Sequence, residues 1–103
     1  MSWRSEISKS VRELRFVLCQ TSPHSKGVRH YIKNNYLDIK SANPDLPFIV
    51  RECKNAMPTV MARYDYGVEK CVYIEHLDEN EIDAVVKDLV EQADNVNAAI
   101  TGA

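Results

Sequence analysis

Between residues 13 and 53 the sequence spells a strand, a helix and a second strand with little room between them. In the stretch 13–19, Leu14, Phe16 and Leu18 alternate with Glu13, Arg15 and Val17, the period-two pattern of a β-strand. Ser22-Pro23 then marks a helix start: a serine hydroxyl caps free backbone amides, and proline fits the first helical position, where its missing N–H had no partner. Val28, Tyr31, Ile32, Tyr36 and Ile39 recur at helical steps down one face until Asn43-Pro44 stops the run. The stretch 47–53 holds the short apolar run Phe48-Ile49-Val50, which suits a strand covered on both faces, as in a parallel sheet. The three elements predict a βαβ unit, whose crossover is right-handed in nearly all proteins.

The remainder of the chain adds a hairpin and a helix. Residues 59–64 and 69–75 read as two strands joined through Asp65-Tyr66-Gly67, where Gly67 takes positive φ at little steric cost. Asp78 then reads as an N-cap, Glu81 completes a capping box, and Leu77 is placed to staple against Ile82. Ile82, Val85, Val86, Leu89 and Val90 form that helix's core-facing stripe. The predicted order is β-α-β-β-β-α, an α/β chain with one four-stranded mixed sheet and helices on both faces, the thioredoxin-like and glutaredoxin-like architecture. One domain is expected over residues 13–93, flanked by a flexible N-terminal segment, 1–12, and a C-terminal tail, 94–103, whose small polar residues show no sustained period.

Composition narrows the function classes. A formal charge of −2 supplies no large positive field for phosphate backbones, so nucleic acid is not an expected partner. No apolar run approaches the ~20 residues that span a bilayer, so membrane association is expected through a partner and not by insertion. The first twelve residues carry Arg4, Lys9, Arg12 and four serines against Glu6, a faint likeness to a basic, serine-rich import sequence without the apolar block of a secretory signal. Three cysteines without paired spacing do not make the disulfide framework of a small secreted domain.

Chemistry concentrates on the cysteines. Cys19-Gln20-Thr21-Ser22 places a thiol where the first strand meets the first helix, the junction at which a helix dipole stabilises a thiolate. Ser22 stands where a dithiol motif has its second cysteine, and a hydroxyl does not resolve a mixed disulfide, which excludes dithiol catalysis through this motif. A monothiol mechanism survives beside the inert, buried role that cysteines usually fill. Cys53 ends the second strand. If the two strands are parallel neighbours, about 4.8 Å apart, a Cys19–Cys53 bridge is geometrically allowed, and the bridged and reduced states both remain open. Met57-Pro58 is read as a cis peptide before the third strand. Cys71 reads as packing. His24, His30 and His76 do not combine with the cysteines at zinc-like spacings, and no phosphate loop, H-E-x-x-H or G-x-S-x-G motif appears, so neither a metal nor a cofactor is expected. Arg51-Glu52 and Arg63-Tyr64-Asp65 put charge inside predicted strands, which fits a sheet edge, a solvent-facing side or a docking surface.

Several of these residues also carry a resemblance. Leu18-Cys19-Gln20, Ser22-Pro23, Ser25, Gly27 and Arg29, then Asn43-Pro44-Asp45-Leu46-Pro47, Arg51-Glu52-Cys53, and Ala62-Arg63-Tyr64 with Gly67 and Glu69 closely resemble the small thioredoxin-like accessory subunits of NADH:ubiquinone oxidoreductase, respiratory complex I. The likeness runs from Glu13 into the last predicted helix. It implies a nuclear-encoded, non-catalytic subunit, peripheral on the matrix side of the mitochondrial inner membrane. Such a subunit has other matrix-arm subunits of complex I as partners and is needed for assembly or stability. Cys19 and Cys53 match the family's two cysteines, so the resemblance makes them its disulfide or redox candidates. The same domain family includes mitochondrial ribosomal proteins; that role and a monothiol glutaredoxin-like oxidoreductase using Cys19 are the alternatives. The chain departs from the family pattern at Met61, where tryptophan is frequent, and in a longer stretch beyond Ala93.

Overall fold

The computed structural model describes residues 3–101. Four strands, β1 (Glu13–Leu18), β2 (Phe48–Glu52), β3 (Thr59–Arg63) and β4 (Glu69–Tyr73), form one mixed sheet in the order β2-β1-β3-β4. The β1 and β2 strands are parallel, and β3 is antiparallel to both β1 and β4. Four α-helices accompany them: α1 (Ile7–Ser10), α2 (Lys26–Ala42), α3 (Glu79–Glu91) and α4 (Ala93–Thr101). From β1 to α3 the order is the expected β-α-β-β-β-α.

Local signals fix several elements where the sequence places them. In the capping box of α3, Glu81 N–H donates to Asp78 Oδ1 at 2.8 Å while Asp78 N–H donates to Glu81 Oε1 at 3.2 Å. The hairpin turns through a single 3-10 turn at Asp65–Gly67, with Tyr66 at φ 60° and Gly67 at φ 77°. Ser22 behaves differently from expectation. Pro23–Ser25 form a 3-10 turn before α2, and the Ser22 hydroxyl lies 3.2 Å from His24 Nε2 and caps no backbone amide.

The layering also differs. Residues paired directly across strands share a face, and Leu14, Phe16, Leu18, Phe48, Val50, Val60, Ala62 and Val72 all join the core with Val28, Tyr31 and Ile39 of α2 and Ile82, Val86, Leu89 and Val90 of α3. Helices were expected on both faces; both long helices pack on this one. The β2 strand is a sheet edge with Arg51 and Glu52 exposed, because a short apolar run reads the same whether a strand is covered twice or once.

Regular structure extends into the N-terminal segment, expected to be flexible, and into the C-terminal tail, expected to show no sustained period. Trp3–Glu6 form a 3-10 turn leading into α1, and Ile7 and Val11 are fully buried, which stabilises the segment by about 1.5–3 kcal/mol per side chain. Arg4 fastens it further, donating to Asp38 and Asp83 at 2.6 Å and to Asn35 at 2.9 Å. At the other end α4 buries Ala93 and packs Val96 against the core. Asn97 joins it to two neighbours, accepting from Asp65 N–H at 3.0 Å and donating to the Ser10 carbonyl at 3.2 Å. The last two residues of the expected tail, 102 and 103, lie outside the described residues.

Candidate functional site

Two features stand at the C-terminal ends of β1 and β2. The first is the cysteine corner. Leu18 pairs with Glu52 in parallel register, so Cys19 and Cys53 are the next residues of adjacent strands, and Cys53 N–H donates to the Leu18 carbonyl at 2.9 Å. Both cysteines line one cavity of about 360 Å³ together with Gln20, Thr21, Glu52 and Lys54. The sequence reading therefore places the pair correctly at one edge of the sheet. The sulfurs are not bonded: Cys19, Cys53 and Cys71 are all free thiols, Cys19 buried and the other two exposed.

Cys19 is held in a network of donors. The Cys19 thiol is lowered to about 7, first by the backbone N–H of Thr21, then by the backbone N–H of Asn55 and the Thr21 hydroxyl. Asn55 N–H lies 3.4 Å from the sulfur and Thr21 Oγ1 3.7 Å from it. Asn55 reaches that position with φ 62°, a left-handed conformation that asparagine tolerates better than most residues. Around the thiol the loop is clamped from the start of α2 and the turn before it: Ser25 Oγ accepts from Cys19 N–H at 3.1 Å, and Arg29 Nη1 donates to the carbonyls of Cys19 and Ser22 at 2.9 and 2.8 Å. The clamp's parts lie within ten residues of one another but carry no periodic signal, so Ser25 and Arg29 are visible beforehand only as matching positions in the family resemblance.

Chemically, this corner offers a partly ionised thiol at neutral pH without a second thiol at the Cys-x-x position. Access is restricted, since Cys19 is 2% exposed. The Met57–Pro58 peptide beside β3 is trans and not cis. A trans bond suits Pro58 here: it is buried, and its carbonyl accepts from Ile74 N–H at 3.0 Å.

The second feature is the sheet face away from the helices. The strand register brings Glu13, Arg15, Val17, Ile49, Arg51, Thr59, Met61, Arg63, Glu69, Cys71 and Tyr73 onto it. Cys71, expected to pack, is exposed here, because β4 is an edge strand and this side of it faces away from the core. Tyr73 is 69% exposed. A larger cavity, about 580 Å³, opens between the starts of α2 and α3, where Lys26 and His30 stand among Asp78 and Glu79. Its charges are mixed, and among the described residues no three His, Cys, Asp or Glu side chains converge on a metal position. No helix among the described residues is long and apolar enough to cross a membrane.

Comparison with known proteins identifies the family. Residues 28–79 match the model of the mitochondrial ribosomal protein L51 / S25 / CI-B8 domain. The chain is 48% identical over 91 residues to the protein of Arabidopsis thaliana named NADH dehydrogenase [ubiquinone] 1 alpha subcomplex subunit 2, covering 88% of this chain and 94% of that one. The protein of the same name in Mus musculus is 40% identical over 80 residues, 78% of this chain and 81% of its own. The NADH-ubiquinone oxidoreductase 10.5 kDa subunit of Neurospora crassa is 36% identical over 91 residues, 88% and 97% of the two chains. With matches of this identity running nearly end to end, the chain belongs to the L51 / S25 / CI-B8 domain family, among its NADH dehydrogenase alpha subcomplex members.

Proposed function

We propose that this chain is a non-catalytic accessory subunit of mitochondrial NADH:ubiquinone oxidoreductase, held peripherally on the matrix side of the inner membrane, where it supports assembly or stability of the matrix arm. The observation that carries the reading is the 48% identity to a relative named as a subunit of that enzyme, spread over 94% of the relative's length. The site chemistry agrees with it. The Cys-x-x-Ser motif lacks a resolving thiol, and Cys19 is shielded by the Thr21 and Asn55 backbone. An acidic balance of −2 favours this member of the domain family over an RNA-bound ribosomal role.

A test is the native mass at which the tagged protein migrates in gently solubilised mitochondria, with mass-spectrometric identification of what travels with it. Co-migration with the flavin- and iron–sulfur-bearing arm is expected. A free species of monomer size would remove the subunit reading and bring forward the second one, a monothiol oxidoreductase, which the low pKa of Cys19 beside a cavity favours. That reading requires glutathione-dependent turnover that Cys19→Ser abolishes.

A further inference from the structure

The helices take one face of the sheet, and the opposite face has an ordered layout of its own. Read across β2, β1, β3 and β4, its first row is Arg51, Val17, Thr59 and Tyr73, its second is Ile49, Arg15, Met61 and Cys71, and its third is Glu13, Arg63 and Glu69. The third row is neutralised within the chain. Glu13 pairs with Arg15 at 2.9 Å and Arg63 at 3.5 Å, and Arg63 also pairs with Glu69 at 3.1 Å. The first two rows are a different surface: an apolar band of Val17, Ile49, Cys71 and Tyr73 around the buried Met61, with a cation at its corner. That cation, Arg51, is exposed and has no hydrogen-bond or ion-pair partner among the described residues. Beside the band, Arg15 Nε is out of contact with water and without an acceptor. That nitrogen is enclosed by the chain itself, and Arg15 is held through its Nη2 by Glu13 at 2.9 Å, so the open charge of this face is Arg51.

The dimensions of the face fit a covering partner. Four strands at about 4.8 Å spacing and five residues at about 3.3 Å rise give a patch roughly 15 by 17 Å, which seats one or two helices lying at the usual ~10 Å layer spacing. A second copy of the chain fits poorly. The carboxylates this face would offer, Glu13 and Glu69, are already engaged by Arg15 and Arg63, and Arg51 would meet no free acid.

We propose that this bare face is where the chain is held in its complex, and that its occupant is a segment of another subunit with an apolar stripe over Val17, Ile49, Cys71 and Tyr73 and a carboxylate against Arg51. The proposal rests on the reading of the chain as a complex I subunit and names the surface by which it binds. Sequence alone marked Arg51 as a charge inside a strand; the register supplies the apolar band beside it and the absence of an internal acid.

The test uses the full-length tagged protein in mitochondria depleted of the endogenous one, comparing wild type with Arg51→Glu, Tyr73→Glu and the control Leu37→Glu. Leu37 is 76% exposed on α2, on the helical side of the molecule. All three sites are exposed, and thermal melts of the purified variants verify that each still folds. Arg51→Glu and Tyr73→Glu are each expected to reduce the fraction migrating with the complex about tenfold or more, and Leu37→Glu to leave it within about twofold. Maleimide labelling gives a readout without mutation: Cys71 reacts readily in the isolated protein and about tenfold or more slowly in the complex.

If wild type enters the complex but both face variants do so equally well, and Cys71 labels as fast there as alone, the face is free and the proposal fails while the subunit reading stands. If wild type never enters the complex, both fail together. A purified wild-type dimer that dissociates on dilution and is lost in Arg51→Glu would give the face to a second copy and overturn the proposal.

Discussion

Gly27 lies in the first turn of α2, where the helix passes against the turn that leads into α3, and a Cβ built on it would sit 1.8 Å from the carbonyl oxygen of Leu77 and 3.0 Å from its carbonyl carbon. Helix propensity alone would make Gly27→Ala favourable by up to about 1 kcal/mol. Packing opposes it, since the obstructing atoms are backbone and must retreat by roughly an ångström. That retreat strains the His76 N–H to His24 carbonyl bond, 3.1 Å long, and shifts Asp78, the N-cap of α3. Overpacking costs about 1–3 kcal/mol and a damaged cap about 1, against the propensity gain of up to about 1, so the substitution should destabilise by about 1–3 kcal/mol net, or roughly 5–20 °C in melting temperature for a domain of this size. Urea unfolding reports it as a lower midpoint at unchanged slope. Gly67→Ala is the contrast: no atom lies within 4 Å of its Cβ position, and only its φ of 77° opposes a side chain, for about 1 kcal/mol. An alanine at 27 that leaves stability equal or raised, or a smaller loss at 27 than at 67, would refute the close-approach argument.

Two other substitutions follow from buried polar atoms. Burial, and secondarily the charge of Asp88, push the Tyr64 hydroxyl up to about 12, and it donates to the Leu89 carbonyl at 2.7 Å; Tyr64→Phe should therefore cost about 1 kcal/mol in chemical denaturation and remain flat from pH 6 to 9. Cys19 has its pKa depressed on folding, so its ionisation adds stability fully above the unfolded thiol's range near pH 9, and that contribution is lost as pH falls through about 7. Melting temperatures of wild type and Cys19→Ala under reducing conditions should diverge in favour of wild type between pH 6 and pH 9; curves that stay parallel would mean the thiol is not held as a thiolate.

The elements legible in the sequence are those whose signal is local. The Asp78–Glu81 box, the Gly67 turn and the stripe of α3 each sit within a few residues, and each is observed. The terminal helices were not legible, because α1 and α4 present few apolar side chains: Ile7 and Val11 at one end, Ala93 and Val96 at the other. Those side chains acquire value only once the sheet and α3 provide a surface, and the Asn97 side chain bonds to residues 32 and 87 positions away. The one-sided helical cover was hidden for a related reason. Arg15 and Val17 alternate with core residues whether a second layer or solvent lies beyond them, so the pattern fixes which face each residue takes and not what covers it. The position of Cys19 beside Cys53 was legible from strand order, but their unequal exposure was not, because it depends on the loop that brings the Asn55 N–H to one sulfur alone.

That inequality bears on what the cysteine corner does. A nucleophile meant for turnover needs both a depressed pKa and a path for its substrate, and Cys19 combines the first with near-complete burial. The groups that lower its pKa also tie the loop after β1 to the loop after β2, since Asn55 N–H bonds to the sulfur while Arg29 and Ser25 hold the backbone on either side of it. On this geometry the sulfur acts as an acceptor joining two loops, and its low pKa is the electrostatic consequence of gathering several N–H and O–H donors around one atom. Cys53, exposed at the rim of the same cavity, is the thiol of this pair that an oxidant or alkylating reagent meets first. Such modification would act on the loop junction at one end of β1 and β2, the strand pair that also carries Val17 and Arg51.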